Sequence, residues 1–206
     1  MSRIILASKS PRRFELLSMT GLSFEVRDAH VDEDAVFASV MQSFASSDIR
    51  TDMYPVAEKV ACAQASAKAS AALSDIADSD AVVIGSDTVV VTENEILGKP
   101  KDEEDARRML TLLSGKTHRV YTGVAIQSKD ESRVFSSFAD VRFHPLDEVQ
   151  QALIESYIAS GSPMDKAGAY GIQDTGSLLI DSISGDYYAV VGLPVARVYR
   201  ELRMIL

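Results

Sequence analysis

The stretch LASKSPRR, residues Leu6–Arg13, marks the passage from an apolar segment to the start of a helix. The apolar run predicts a buried strand over Arg3–Ala7. Ser10 followed by Pro11 predicts a helix N-terminus, because serine is a favoured N-cap and proline suits the first helical position. Such a turn presents free N–H groups and the positive end of the helix dipole. It is therefore a candidate anion site in an α/β fold, with a merely capped surface helix as the alternative.

The side chains of this turn suit an anionic ligand. Ser8 and Ser10 supply hydroxyl donors, and the planar guanidinium of Arg13 can bind two oxygens of one phosphate. Arg12 and Arg13 are adjacent in a chain whose net charge is −9. Because the overall field of such a protein repels anions, an anionic ligand has to be held by a local cluster of cations. Solvated arginines without a ligand remain the alternative at this point.

The composition indicates a soluble globular protein and limits its partners. Apolar residues make up 46% and charged residues 25% of the 206 residues, which suits a single domain over residues 1–206. The acidic balance argues against nonspecific nucleic-acid binding. No apolar run approaches the roughly 20 residues that span a bilayer, and residues 1–25 do not resemble a signal peptide. With a single cysteine, Cys62, we expect a cytoplasmic protein without membrane partners.

Strand and helix patterns follow one another along the rest of the chain. The segment 56–74 predicts a helix, because Val56, Val60, Ala63, Ala67 and Ala71 recur at helical spacing. Residues 35–55 show no clear pattern. Several strands adjoin without a helix between them, so we predict a mixed twisted α/β sheet with flanking helices. The other predicted strands are Phe24–Val26, Ala81–Ile84, Val89–Val91, Arg119–Gln127, Val134–Phe143, Ser177–Ile183 and Tyr187–Val191, and the other predicted helices are Asp102–Ser114, Asp147–Ser160 and one that Pro194 opens.

A polar interruption, Gly85-Ser86-Asp87, separates two of these predicted strands. Ligands of open α/β sheets bind at the carboxyl ends of strands, and the carboxylate of Asp87 beside the hydroxyl of Thr88 suits a metal ion and its water. An Asx turn that ends the strand is the alternative. Lys99 lies between a glycine and a proline, on a stiff loop that can present its ammonium to an anion.

Three further segments carry groups that could join the same site. Glu33, in the acidic loop 32–34, offers a second oxygen ligand for a divalent cation, although such runs are commonly only solvated. Lys68 lies among alanines and serines that leave room for a ligand. The segment DKAGAYGIQD, residues 165–174, is rich in glycine and lets backbone approach a ligand closely. Together these cations, carboxylates and glycine loops are what a metal–polyphosphate site requires.

The motifs ASKSPRRFELL, VDE, GSDTVV, GKP, LSGKTHRVYTGVAI, DKAGAYGIQD and VGLP occur in this order between residues 3 and 200. This set closely resembles the Maf family of nucleoside triphosphate pyrophosphatases. The resemblance implies a mixed α/β fold related to the inosine triphosphate pyrophosphatases, with a cleft between two lobes. It also implies hydrolysis between the α and β phosphates of a nucleotide, which gives a monophosphate and pyrophosphate.

The resemblance assigns roles to residues at matching motif positions. Ser8, Arg13, Lys68 and Lys99 would bind the triphosphate. Glu33 and Asp87 would bind a divalent cation, magnesium or manganese, with Asp87 also the general base. In-line attack by an activated water would follow, with the cations offsetting the charge on the phosphate oxygens.

The same resemblance bears on the substrate. Arg12, Thr88 and Gln173 stand where the dTTP/UTP branch of the family has arginine, threonine and glutamine, so the chain looks like that branch. The glutamine amide can donate to and accept from the imide edge of thymine or uracil. Modified pyrimidine triphosphates are a natural extension. The alternatives are a pyrophosphatase of 7-methyl-GTP or another purine nucleotide, and a non-catalytic nucleotide-sensing regulator of cell division. A homodimer is left open.

Overall fold

The strand predicted at the start of the chain lies inside a seven-stranded mixed sheet. The computed structural model describes residues 3–45, 52–76 and 80–206. Strand β1, Arg3–Ala7, pairs in parallel with β2, Phe24–Arg27, on one side and with β3, Ala81–Val91, on the other. The residues from Ile4 to Ala7 are buried, because β1 has a paired strand on each side and apolar clusters pack on both of its faces.

The remaining strands extend the sheet by antiparallel pairing. These strands are β4, Ile96–Leu97; β5, Thr117–Gln127; β6, Ser132–Phe143; and β7, Ile180–Gly185. The order across the sheet is β2-β1-β3-β5-β6-β7, and β4 pairs with the end of β3 through a hairpin. This mixture of parallel and antiparallel pairing confirms the predicted fold class.

Helices cover both faces of the sheet. They are α1, Pro11–Ser18; α2, Glu33–Ala45; α3, Tyr54–Ser74; α4, Glu103–Leu113; α5, Glu148–Ala159; α6, Tyr187–Val191; and α7, Val195–Ile205. The alanine-rich α3 packs on β3 and β5, whereas α1 and α7 pack on the opposite face. None of the helices in the described ranges combines the length and apolar character needed to cross a bilayer.

The segment 35–55, which showed no clear pattern, contains most of helix α2 and the start of α3. Helix α2 continues to Ala45, and α3 begins at Tyr54; residues 46–51 lie outside the described part of the chain. Val40 of α2 packs with Val56 and Val60 of α3 in one apolar cluster. Helix α2 therefore rests on α3, which places its first residue, Glu33, beside the body of α3.

Two strand predictions were wrong, and a third was shifted. The prediction that Gly85-Ser86-Asp87 separates two strands fails, because β3 runs unbroken from Ala81 to Val91. Tyr187–Val191 is a helix, and the Asp186 side chain caps it by accepting from Tyr188 N. The strand predicted over Ser177–Ile183 begins only at Ile180, after a short 3₁₀ helix.

The register of β3 creates a gap in the sheet. Strand β1 accompanies β3 only as far as the pair Ala7–Gly85, and β4 joins at Val90–Leu97. The four residues between these pairs therefore lie past the carboxyl end of β1. Since successive side chains of a strand point to opposite faces, Asp87 and Thr88 reach this gap from different faces of the sheet.

Candidate active site

A cavity of about 910 Å³ opens at this gap in the sheet. It lies where the carboxyl end of β1 meets the start of α1, as the sequence predicted for an anion site. The cavity lining includes eight of the nine residues proposed for the site, namely Ser8, Arg12, Arg13, Glu33, Lys68, Asp87, Thr88 and Lys99. Gln173 is exposed and does not line the cavity, but Gly171 and Ile172 just before it do.

The start of α1 holds Arg13 in a fixed orientation. Ser10 caps the helix, and its hydroxyl accepts from the backbone N–H of Arg13. The guanidinium donates to the Gly192 carbonyl from Nε at 2.9 Å, to Ser8 Oγ from Nη1 at 3.3 Å and to Thr88 Oγ1 from Nη2 at 3.1 Å. Burial lowers the pKa of Arg13, and the negative charge of Asp87 opposes that shift. Arg13 remains a cation at any physiological pH.

Lys68 links two carboxylates on the α3 side of the gap. Its Nζ lies 2.6 Å from Asp87 Oδ1 and 2.7 Å from Glu33 Oε1. The side chains of Lys68 and Asp87 are only 13% and 12% exposed, whereas the Glu33 side chain is about half exposed. The chain thus brings the two proposed metal ligands to one ammonium group, although their positions in the sequence differ by 54 (33 to 87).

The two carboxyl groups differ in their electrostatic setting. Burial raises the pKa of Asp87, although Lys68 and Arg13 work in the opposite direction. Burial also acts to raise the pKa of Glu33, but the hydrogen bond and charge of Lys68 outweigh it, so that the pKa is lowered overall. A buried carboxylate whose pKa is raised is a stronger proton acceptor than an ordinary one, which suits a general base.

Lys99 and Arg12 approach the cavity from two loops. The Lys99 charge contributes to the lowering of the Glu33 pKa, which places its ammonium within electrostatic range of that carboxylate. The Gly98 carbonyl beside it accepts from Gly168 N at 3.0 Å and so ties this loop to the glycine-rich segment. The charge of Arg12 likewise contributes to a lowered pKa of Asp165 in that segment.

The glycine-rich segment has regular structure and side-chain hydrogen bonds that hold it in place. Short 3₁₀ helices span Ser162–Asp165, Ala167–Ala169 and Thr175–Leu179. Asp174 anchors the part that bears Gln173, since it accepts from Tyr157 Oη at 2.9 Å and from Ser162 Oγ at 2.9 Å. These hydrogen bonds hold the backbone around Asp174 in place, including that of the neighbouring Gln173.

The carboxylate oxygens at the gap could hold a divalent cation only if a bound ligand supplied further oxygens. In the described ranges, three or more His, Cys, Asp or Glu side chains do not converge closely enough to hold an ion. Mg²⁺ is usually held by one or two carboxylates together with phosphate oxygens and water. Glu33 and Asp87 match that pattern, because they are two hard oxygen donors at the edge of a cavity lined by cations.

Sequence reasoning missed two residues that hold Arg13, Gly192 directly and Thr122 through Thr88. Gly192, which accepts from Arg13 Nε, lies in the motif VGLP, and this motif entered only as part of the resemblance. Thr122 lies on β5, opposite Thr88 in the β3–β5 register, and is fully buried. The available signal was a hydroxyl residue inside an apolar strand, since such a group needs a buried partner.

Comparisons with known proteins agree with the motif resemblance. The family model described as Maf-like protein matches residues 3–205. A dTTP/UTP pyrophosphatase of Bacillus cereus is 46% identical over 203 residues, which cover 98% of this chain and 95% of the relative. The proteins with the same name from Bacillus thuringiensis subsp. konkukian and Bacillus anthracis are 46% and 45% identical with the same coverage.

Proposed function

Because the chain belongs to the Maf family, we propose that it is a nucleoside triphosphate pyrophosphatase that hydrolyses dTTP and UTP. The bond cleaved is the anhydride between the α and β phosphates, and the products are the nucleoside monophosphate and pyrophosphate. The observation that carries the proposal is the convergence of Arg13, Lys68, Asp87 and Glu33 at one cavity. Modified pyrimidine triphosphates are further candidate substrates, and the site of action is the cytoplasm.

Four groups would bind the triphosphate. The guanidinium of Arg13 offers a planar donor surface, and Ser8 adds a hydroxyl that already faces Arg13. Lys99 lies on its short loop at the cavity wall. Lys68 is the fourth cation, and binding of the triphosphate would compete with its ion pairs to Asp87 and Glu33.

Asp87 is the proposed general base. Its burial beside Lys68 keeps water away from the carboxylate except on the cavity side, where it can accept a proton from the attacking water. Glu33 and Asp87 would together hold a magnesium or manganese ion, which when bound offsets negative charge on the phosphate oxygens and lowers the pKa of water. Arg13 and Lys99 stabilise the charge that develops on the leaving pyrophosphate.

We propose that Gln173 and Arg12 recognise the nucleobase of the substrate. Gln173 projects from the segment anchored by Asp174, next to the lining residues Gly171 and Ile172. Its amide can pair with the imide edge of thymine or uracil. The resemblance also assigned Thr88 to substrate choice, but its contacts support a different role, which is argued below.

A nucleotide panel with product identification tests the proposal. Wild-type enzyme with Mg²⁺ or Mn²⁺ should release pyrophosphate and the monophosphate from dTTP and UTP, with lower kcat/KM for purine triphosphates and 7-methyl-GTP. Asp87→Asn should lower kcat by at least about a hundredfold, because it removes the proton acceptor. The control Asp130→Asn makes the same change in the exposed turn between β5 and β6.

Four results would contradict the proposal. Release of orthophosphate would place cleavage at another bond, and a purine preference would favour the alternative enzyme. Retained activity in Asp87→Asn would remove Asp87 from the base role. Tight nucleotide binding without hydrolysis would favour the regulator.

A further inference from the structure

On the α1 side of the gap, two threonine hydroxyls connect Arg13 to the protein interior. Thr88 on β3 and Thr122 on β5 face each other in the strand register, with their Oγ1 atoms 2.9 Å apart. Thr122 is fully buried, and Thr88 borders the cavity. The Asp87 carboxylate takes no part in these contacts, since it points to the opposite face of the sheet.

The acceptors determine the direction in which each threonine hydroxyl donates its proton. Thr122 Oγ1 lies 2.6 Å from the Ala189 carbonyl, which can only accept, so the Thr122 proton points there. Each hydroxyl has one proton, and the hydrogen bond between the two threonines must therefore use the proton of Thr88. Thr88 Oγ1 is left with its lone pairs, and it accepts from Arg13 Nη2 at 3.1 Å.

Two further acceptors bind the other nitrogens of the Arg13 guanidinium. The Gly192 carbonyl accepts from Arg13 Nε at 2.9 Å and lies 3.1 Å from the buried hydroxyl of Ser86. Ser8 Oγ accepts from Nη1. A guanidinium carries five N–H groups, and the contacts made by the described residues use three of them. One N–H on each terminal nitrogen is left for a ligand, and two such donors can bind two oxygens of one phosphate.

We propose that Thr122 and Thr88 are positioning residues that orient the Arg13 guanidinium toward the phosphates of the substrate. This inference rests on the proposed function, because it assigns Arg13 to phosphate binding. It also changes the role of Thr88. Since the Thr88 proton is committed to Thr122, this hydroxyl cannot donate to a nucleobase, and its contribution is to phosphate binding rather than to base choice.

The test compares a ligand without a nucleobase, inorganic tripolyphosphate, with nucleoside triphosphates. The variants are Thr122→Val, which keeps the shape and removes the hydroxyl, Thr122→Ser, which restores it, and Thr88→Val. The control Thr117→Val makes the same change at an exposed position at the start of β5. Inorganic tripolyphosphate binding is measured by calorimetry without divalent cations, so that turnover does not interfere. Steady-state kinetics follow with dTTP, UTP and GTP.

We expect Thr122→Val to weaken tripolyphosphate binding roughly tenfold and to raise KM for all three nucleotides by a similar factor. The ratio of kcat/KM between dTTP and GTP should stay unchanged. Thr122→Ser should recover most of the affinity. Thr88→Val should match Thr122→Val, and the double variant should be no weaker than either, because both substitutions break one chain of hydrogen bonds. Should Thr122→Val fail to fold, Thr88→Val at the cavity border still decides the question.

Several outcomes would overturn the inference. One is unchanged tripolyphosphate binding with a shifted dTTP-to-GTP ratio, which would make Thr88 a base-reading residue. Another is a lower melting temperature with unchanged binding, which would make the pair only structural. Absence of tripolyphosphate binding by the wild type would remove phosphate binding from Arg13. If instead tripolyphosphate binds as expected but dTTP yields no pyrophosphate, the proposed function fails while the positioning role stands.

Discussion

Lys68 forms a buried ion pair with Asp87, 2.6 Å between Nζ and Oδ1, on the helix that crosses the sheet at this point. The same ammonium lies 2.7 Å from Glu33, so one lysine offsets the charge of both proposed metal ligands. A divalent cation would need the space and the carboxylate oxygens that Lys68 now uses. Removal of one partner from a buried ion pair typically costs about 3–5 kcal/mol, because the other charge is left uncompensated.

Lys68→Met should therefore strengthen metal binding in the absence of nucleotide. Without the ammonium, Glu33 and Asp87 repel each other, and a cation between them removes that repulsion. We expect Mn²⁺ affinity, measured by calorimetry or by electron paramagnetic resonance on the free protein, to rise about tenfold or more, equivalent to about 1.4 kcal/mol. Turnover should nevertheless fall, since a proposed phosphate-binding cation is lost.

The exposed Lys59 on the same helix supplies the control for this variant. Lys59→Met removes the same charge from α3 without touching the two carboxylates, so its Mn²⁺ affinity should stay at the wild-type level. Equal affinities of Lys68→Met and wild type would show that Lys68 does not compete with the cation.

Gly85→Ala should separate α3 from the sheet. A Cβ at Gly85 would lie 2.1 Å from the Ala65 carbonyl oxygen and 2.7 Å from Ala69 N, both backbone atoms that cannot rotate away. Overpacking of this kind costs about 1–3 kcal/mol or more of unfolding free energy. Because Lys68 lies between these contacts on α3, turnover should fall as well. Urea unfolding and kinetics measure the two effects.

Gly98→Ala is the matched control, because among the described residues no atom beyond the two chain neighbours lies within 4 Å of a Cβ built at that position. Its unfolding free energy should remain within about 0.5 kcal/mol of the wild type. A Gly85→Ala protein as stable as the wild type would mean that α3 and β3 can move apart without loss.

Local signals made some elements predictable. The strand Arg3–Ala7 contains the apolar run Ile4–Ala7, and α1 begins where Ser10 and Pro11 predict, because capping is decided by neighbouring residues. The starts of α4 and α5 follow in the same way from Asp102 and Asp147, whose side chains accept from backbone N–H groups of the first turn. The burial of α3 was less predictable, since small residues surround the helix. The spacing that includes 63, 67 and 71 predicted the helix, but the alanines that it buries are Ala57, Ala61, Ala65, Ala69 and Ala72.

Partners distant in sequence decided the features that were missed. The unbroken β3 tolerates Ser86 and Asp87 in its middle because the Gly192 carbonyl and Lys68 satisfy these polar groups. The apolar segment Tyr187–Val191 suits a strand by composition, yet the Asp186 cap and packing on the sheet make it a helix. For the site, motif order identified eight residues that line the cavity, whereas Gln173 does not line it. It did not indicate that one lysine lies against both carboxylates, since that contact depends on how α2, α3 and β3 pack.

Gln173→Glu should lower pyrimidine turnover specifically. The carboxylate keeps the acceptor of the amide but loses its donor, so it cannot complete two hydrogen bonds with the imide edge of thymine or uracil. We expect kcat/KM for dTTP and UTP to fall at least about tenfold, while the value for GTP stays equal or rises. The measurement is the nucleotide panel described above.

Gln151→Glu, at an exposed position on α5, adds the same negative charge away from the cavity and should leave all substrates unaffected. Equal losses for dTTP and GTP in Gln173→Glu would indicate a general effect of charge on the bound triphosphate. In that case the base would be read by other residues.

His118 is a buried histidine that the proposed chemistry does not use. Its Nε2 lies 2.8 Å from Tyr170 Oη, and its ring packs edge-on against Phe143. Nδ1 is buried without a hydrogen-bond partner in the described part of the chain. Burial lowers the pKa of His118 from 6.5 to about 3, although the charge of Asp140 acts in the opposite direction. The imidazole therefore stays neutral in the folded protein near neutral pH and contacts Tyr170, which is one of the residues that line the cavity.

This lowered pKa predicts a loss of stability in acid. Between pH 6.5 and about 3 the unfolded chain binds a proton at His118 that the folded protein excludes, so the unfolding free energy falls as the pH falls through this range. One such group contributes a slope of up to about 1.4 kcal/mol per pH unit. His118→Gln keeps a polar group toward Tyr170 but cannot titrate, and urea unfolding from pH 7 to pH 4 should show a shallower slope for this variant. A His118→Gln protein with the full wild-type slope would assign the acid sensitivity to other groups.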